Sequence, residues 1–322
     1  MAHATTSKPG VAQAGGIYAG PTIEEMRECW ARSLRSRNAR SETVRTYTTA
    51  VEQFDAFLAA QGMPREVAKV SREHVEMFIE HLLATRSAST AKTRFGGLKT
   101  FWRYVCEDEG EVERSPMERM RAPLVEEVPT PMPDSGDLTR LLQTVSGRSF
   151  DDRRDRALLL LAADTGLRRG ELVGLTLEDV DSANQNVTVR PVTSKSRRTR
   201  VVAFGPTTAN ALARYERMRR QHAKAPTSGN AYWLGKLGPL TGAGVLQVLH
   251  RRCSAAGVPR MHPHQLRHYF AHSMKAQGMS DDDLKRLGGW RSSEMLARYG
   301  AAHAEQRALA AYRAMPSPVE GL

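Results

Sequence analysis

"SPMERMRAPLVEEVPTPMPDSG", residues 115 to 136, holds five prolines between positions 116 and 133. Each proline fixes φ and removes an amide donor, so this stretch stops both helix and sheet and stiffens the chain as a spacer. Taken as a linker over 116–133, it divides a chain of 322 residues with 40% hydrophobic content into two parts, each long enough to bury a core. On its N-terminal side the apolar residues recur at helical steps. "SETVRTYTTAVEQFDAFLAAQG" places Val44, Tyr47, Val51, Phe54 and Leu58 three and four residues apart, with Ser41 as the expected cap and Gly62 as the stop. "TIEEMRECWARSL", "SREHVEMFIEHLLATR" and "SASTAKTRFGGLKTFWRYVCEDEG" repeat the pattern, the last two opening on serine. A small helical bundle over 22–115 is expected. On the C-terminal side, "SGDLTRLLQTV" and "RRDRALLLLAADTG" read as helices, "NVTVRPV" and "TRVVAF" alternate like short strands, and helical patterns run to about 315 before a tail at 316–322. The predicted class is mainly α with a small β-sheet (α+β).

Bulk composition narrows the partner. Lys plus Arg number 47 against 35 Asp plus Glu, a formal charge of +12, which favours a polyanion. Cys29, Cys106 and Cys253 lie far apart with no CxxC spacing, so neither a disulfide framework nor a cysteine-ligated zinc is expected, and a reducing cytosol fits. The apolar run "ALLLLAA", 157–163, is far too short to cross a bilayer, and residues 1–21 read as a flexible lead-in without a compact hydrophobic signal core. The expectation is a soluble, cytoplasmic protein with no membrane partner.

Four segments carry polar side chains suited to chemistry. In "HPHQLRHYF", 262–270, Pro263 suits the first helical position and puts His264 in the first turn, where open amides favour an anion; Arg267 follows on the same face. His264, His268 and His272 also repeat at four-residue steps, but no HExxH glutamate accompanies them, so no metal site is expected. In "DTGLRRGELVGL", 164–175, Gly166 permits a sharp turn and Leu167, Leu172 and Leu175 face inward. Arg168 or Arg169 then emerges at the core's rim, within reach of Glu171. A helix cap with an exposed ion pair accounts equally well for that pattern. "VTSKSRRTRVVAF" reads as a hairpin whose turn carries Lys195, Arg197, Arg198 and Arg200, four cations suited to phosphate contacts. "LGGWRSSEMLARYG", 287–300, sets Trp290 nine residues before Tyr299 and ends on a helix-terminating Gly300; core packing explains both rings if they are taken alone.

Taken together and in this order, the four segments resemble the tyrosine recombinase and phage integrase family over roughly 180 residues. "TGLRRGEL" is similar to its first arginine box, "TSKSRRTRVV" to its lysine hairpin, "HPHQLRH" to its HxxR box and "LGGWRSSEMLARY" to its last box. The resemblance implies a catalytic set of Arg168, Lys195, His264, Arg267, Trp290 and the nucleophile Tyr299. Trp290 stands where histidine is commoner in the family, so it is expected to pack and donate an indole hydrogen bond. The helical bundle is similar to the family's core-binding domain and 134–315 to its catalytic domain. Together they imply a clamp on duplex DNA, with Lys92, Arg94, Lys99, Arg103, Arg197, Arg198 and Arg200 as phosphate contacts. The activity implied is site-specific cutting and rejoining of DNA through a 3′-phosphotyrosyl intermediate, for integration, excision, transposition or resolution. It needs neither ATP nor metal, since the covalent bond conserves the energy for rejoining. The family's habits imply a homo-oligomer on DNA, a tetramer, with the tail "AEQRALAAYRAM" docked on a neighbour or on its own domain. The short segment before residue 22 leaves little room for an arm-binding module and favours a simpler Xer-like or mobile-element enzyme. A type IB topoisomerase-like enzyme and a catalytically silent DNA-binding regulator are the alternatives.

Overall fold

The computed structural model describes residues 20–126, 133–191 and 199–290, together with 292, 296, 308–309, 312–316 and 319–320. Two compact units divide between Glu127 and Val128. In the first, α1 (Ile23–Ser36) starts on a Thr22/Glu25 capping box, followed by α2 (Ser41–Ala60), α3 (Arg72–Thr85) and α4 (Ala88–Arg103), which runs on into one π-helical turn at Tyr104–Asp108. Ser71 and Ser87 occupy the N-caps of α3 and α4: the Ser87 oxygen accepts from the open Thr90 amide at 3.2 Å, and the Ser71 amide donates to His74 Nδ1 at 3.1 Å. Ser41 differs from expectation: it is the first helical residue, and Arg40 holds the cap position, its side chain making no capping hydrogen bond.

Val44, Val51, Phe54 and Leu58 are buried as the spacing required, and Tyr47 stacks on Trp30 with ring centroids 5.6 Å apart. α2 and α4 approach closely at Gly97, where an added Cβ would stand 2.8 Å from that of Ala50. Met117 is fully buried in this same core and Met120 packs against it. The first unit therefore continues past 115, the expected end of the bundle, into the proline-rich stretch. A buried thioether retains a chain that proline has already released from helix.

In the second unit α5 (Ser135–Gln143) precedes α6 (Phe150–Thr165) and the short α7 (Arg169–Val173). Three antiparallel strands follow in the order β1 (Val180–Asp181), β2 (Asn186–Val189), β3 (Arg200–Ala203). α8 (Pro206–Arg220), a hairpin of β4 (Leu234–Gly235) and β5 (Gly238–Pro239), α9 (Gly242–Ala256), α10 (Pro263–Ala276) and α11 (Asp281–Gly288) complete the described elements. "ALLLLAA" is apolar around its whole circumference, which suits a helix enclosed on all sides. It forms the buried part of α6, packed by α8 and α10. Each enclosed leucine there contributes about 2 kcal/mol of apolar burial.

A fully buried carboxylate inside this core is compensated. Asp155 of α6 is fully buried and accepts from Arg154, from Arg251 at 2.8 Å and from Arg252 at 2.8 Å, tying α6 to α9. At its C-terminus α6 stops on Gly166 in the left-handed region, φ +59°, where a Cβ would run into the Phe270 ring of α10. That close seat fixes where the chain leaves toward α7.

Candidate active site

Arg168 is the N-cap residue of α7. Its amide donates to Glu171 Oε2 at 2.9 Å and its Nη1 to Oε1 at 3.0 Å, so one carboxylate three residues on holds both backbone and side chain. Glu171 is fully buried, and this pair is not the exposed ion pair that its spacing equally allowed. A second guanidinium closes on it: Arg200 donates Nη1 to Oε1 at 3.1 Å and Nη2 to Oε2 at 2.7 Å. Burial opposes ionisation of Glu171, but the bonds and charges of Arg200 and Arg168 outweigh it and hold the carboxyl below its ordinary range.

Arg200 reaches this site because β3 alternates. It pairs opposite Val189 and lies on the same strand face as Val202, which is buried. Grouped in the sequence with Lys195, Arg197 and Arg198 as a phosphate contact, Arg200 instead has a side chain only 9% exposed. Period-two burial through Arg200, Val202 and Phe204 is the signal that could have placed it inside.

Arg267 comes from the first turns of α10. Pro263 occupies the first helical position as expected, while His262 caps the helix and its amide donates to Gln265 Oε1 at 2.8 Å. The Arg267 side chain is buried, donating Nη1 to Gly166 O and Nη2 to Gly288 O, both at 2.7 Å. Its guanidinium carbon lies 4.0 Å from the centroid of the Trp290 ring. Trp290 belongs to a small apolar cluster with Phe270, Ala271, Leu284 and Leu296, and its ring forms a platform under the arginine.

The end of α11 organises all three arginines. Leu287 O accepts from Arg200 Nε at 2.7 Å, Gly288 O from Arg267 Nη2, and Gly289 O from Arg168 Nη2 at 3.0 Å. Carbonyls at a helix C-terminus lack intrahelical donors and carry the negative end of the dipole, so they attract guanidinium groups. The geometry requires two glycines. A Cβ at Gly288 would fall inside the Trp290 ring, and Gly289 sits at φ +67° with Arg200 Nη1 3.1 Å from where a Cβ would be.

His264, exposed on the outer face of the same helix turn, meets His268 edge to face with ring centroids 4.8 Å apart. Burial, with His264 and Arg267 alongside, pushes the His268 imidazole down to about 4, so it is neutral at physiological pH. Among the described residues no three His, Cys, Asp or Glu side chains form a group that could hold a metal. Lys195, Arg197, Arg198 and Tyr299 lie outside the described residues. In the first unit Lys92, Lys99 and Arg103 are exposed on α4, whereas Arg94 is half-buried and donates to Gln53 Oε1 at 2.7 Å. No described helix is long and apolar enough to cross a membrane.

Buried cations clustered by backbone carbonyls and one carboxylate make a site prepared for an anion, and sequence comparison identifies its lineage. Residues 134–306 match the profile of the phage integrase family and 26–111 that of its N-terminal SAM-like domain. The chain belongs to the phage integrase family. Among its integrase-family relatives is a tyrosine recombinase XerC of Roseiflexus sp. (strain RS-1), 31% identical over 259 residues, which are 79% of this chain and 81% of the relative. Of solved structures, the Tn1549 transposon integrase in complex with transposon right end DNA superposes with a TM-score of 0.71 at 17% identity, covering 92% of this chain and all of that one. A lambda integrase tetramer bound to a Holliday junction gives 0.68 at 17% identity, covering 88% and 78%.

Proposed function

We propose that this integrase-family protein is a site-specific DNA recombinase that cuts and rejoins strands through a 3′-phosphotyrosyl intermediate, with Tyr299 as nucleophile. The observation that carries the reading is the tethering of Arg168 and Arg267 to adjacent carbonyls of one helix end. When phosphorus becomes five-coordinate, negative charge gathers on its nonbridging oxygens, and fixed guanidinium groups stabilise that state more than the ground state. Trp290 keeps one of those forks flat and in place.

In the proposed cycle the Tyr299 phenol oxygen attacks phosphorus while its proton passes to His264, whose exposed ring accepts it. The bond to the 5′ oxygen breaks, and Lys195 supplies the proton that this leaving group needs. A 5′ hydroxyl from the partner strand then attacks the phosphotyrosine, reversing the same steps and releasing Tyr299. The exposed Lys92, Lys99 and Arg103 and the hairpin cations Arg197 and Arg198 serve phosphate contacts along the duplex. Arg94 has a side-chain partner of its own and contributes less. By analogy with the junction-bound tetramer, four copies assemble on DNA, in the cytoplasm.

The test is a nicked suicide duplex carrying the cognate site, recovered from DNA trapped on the enzyme. Wild-type protein accumulates a covalent adduct and Tyr299→Phe does not. Strand exchange between two such sites separates recombination from the relaxation expected of a topoisomerase. Binding without any adduct would instead make the protein a regulator.

A further inference from the structure

We propose that Arg200 is a positioning residue of this site, one that sets the Arg168 and Arg267 forks without touching DNA; the assignment rests on the recombinase reading above. Arg200 bridges two elements with one rigid group. Nη1 and Nη2 grip the Glu171 carboxylate at 3.1 and 2.7 Å, while Nε holds the Leu287 carbonyl at 2.7 Å. Glu171 in turn orients Arg168, and the carbonyls directly after Leu287 orient Arg267 and Arg168. Arg200 is thus the brace between α7 and the end of α11, the two places from which Arg168 is held. With its side chain 9% exposed, little of it is available to a phosphate.

A guanidinium suits the task because its donors form a planar fork that grips a carboxylate with Nη1 and Nη2 while Nε–H reaches a carbonyl. An ammonium on a flexible stem reproduces the charge but not the span. Arg200→Lys therefore keeps a cation beside buried Glu171 and removes the brace; Arg200→Met removes both.

Single-turnover cleavage of the suicide duplex at saturating DNA, DNA affinity across a salt series and thermal melting together decide the matter. Arg200→Lys is expected to bind DNA within about twofold of wild type, with the same salt slope, because no phosphate contact is lost. Its cleavage rate at saturation falls on the order of 10²-fold, the scale of a misplaced reacting group. Should Arg200→Met fail to fold, Arg200→Lys alone decides. Cleavage at the wild-type rate, or a loss confined to affinity with a shallower salt slope, overturns the assignment and returns Arg200 to the DNA-contact surface. Wild-type protein that forms no adduct overturns the recombinase reading and this assignment with it, whereas a competent wild type beside an equally competent Arg200→Lys overturns this assignment alone.

Discussion

At Glu171 one buried carboxylate accepts four hydrogen bonds from two arginines. Because its folded pKa is depressed, the stabilisation it gives is present above the unfolded carboxylate value and is lost as pH falls through the folded one. Glu171→Gln should therefore cost about 3 kcal/mol at neutral pH, as expected when one partner leaves a buried ion pair. In denaturant titrations the gap between variant and wild type should narrow as pH drops below the carboxylate range; a gap that stays constant would remove the electrostatic account. His268 gives a second slope. Its imidazole titrates near 4 when folded against 6.5 ordinarily, so the unfolded chain takes up a proton that the folded one refuses. Stability should fall between those two values as pH is lowered, and His268→Phe should flatten that segment of the profile. Glu171 was legible as a partner for an arginine from its three-residue spacing. Its second partner was not, because Arg200 stands 29 residues away, at the end of a run of cations in the sequence that hides strand alternation.

The end of α11 is the element that brings distant arginines together, and its acceptors are main-chain atoms. Trp290 is therefore legible in the sequence, whereas the three carbonyls before it carry no side-chain signal. Gly289→Ala should cost about 1 kcal/mol for a non-glycine residue held at positive φ. Gly288→Ala should do more to function than to stability, since a Cβ there displaces the Trp290 ring on which Arg267 rests. A drop in single-turnover cleavage with a cooperative melt retained would be the expected result; unaltered cleavage would show that Arg267 does not depend on the indole. Elsewhere the elements were readable where they were long or capped. The apolar steps of α2, the serine caps of α3 and α4 and the proline start of α10 all follow from local chemistry. β1, β4 and β5 span two residues each, too few for any alternation to register.

Across the molecule, charge and division of labour were visible in the sequence, while the edge of the first unit was not: Met117, with Met120 packed against it, extends its core beyond the first proline of the stretch that punctuation alone marks as linker. The excess of 47 basic over 35 acidic residues predicts affinity that declines steeply with salt. Replacing Lys92, Lys99 and Arg103 together by alanine should reduce the log-log salt slope by about 0.9 for each phosphate contact removed, leaving cleavage at saturating DNA near wild type. An unchanged slope would move the DNA-facing surface off α4. The near-touching of Gly97 and Ala50 adds a geometric consequence. One methyl group inserted at that crossing would prise two cylinders apart and swing the ridge bearing Lys99 and Arg103. Retargeting such an enzyme is thus partly a matter of pitch, and libraries that vary only its cations leave the steering gear unturned.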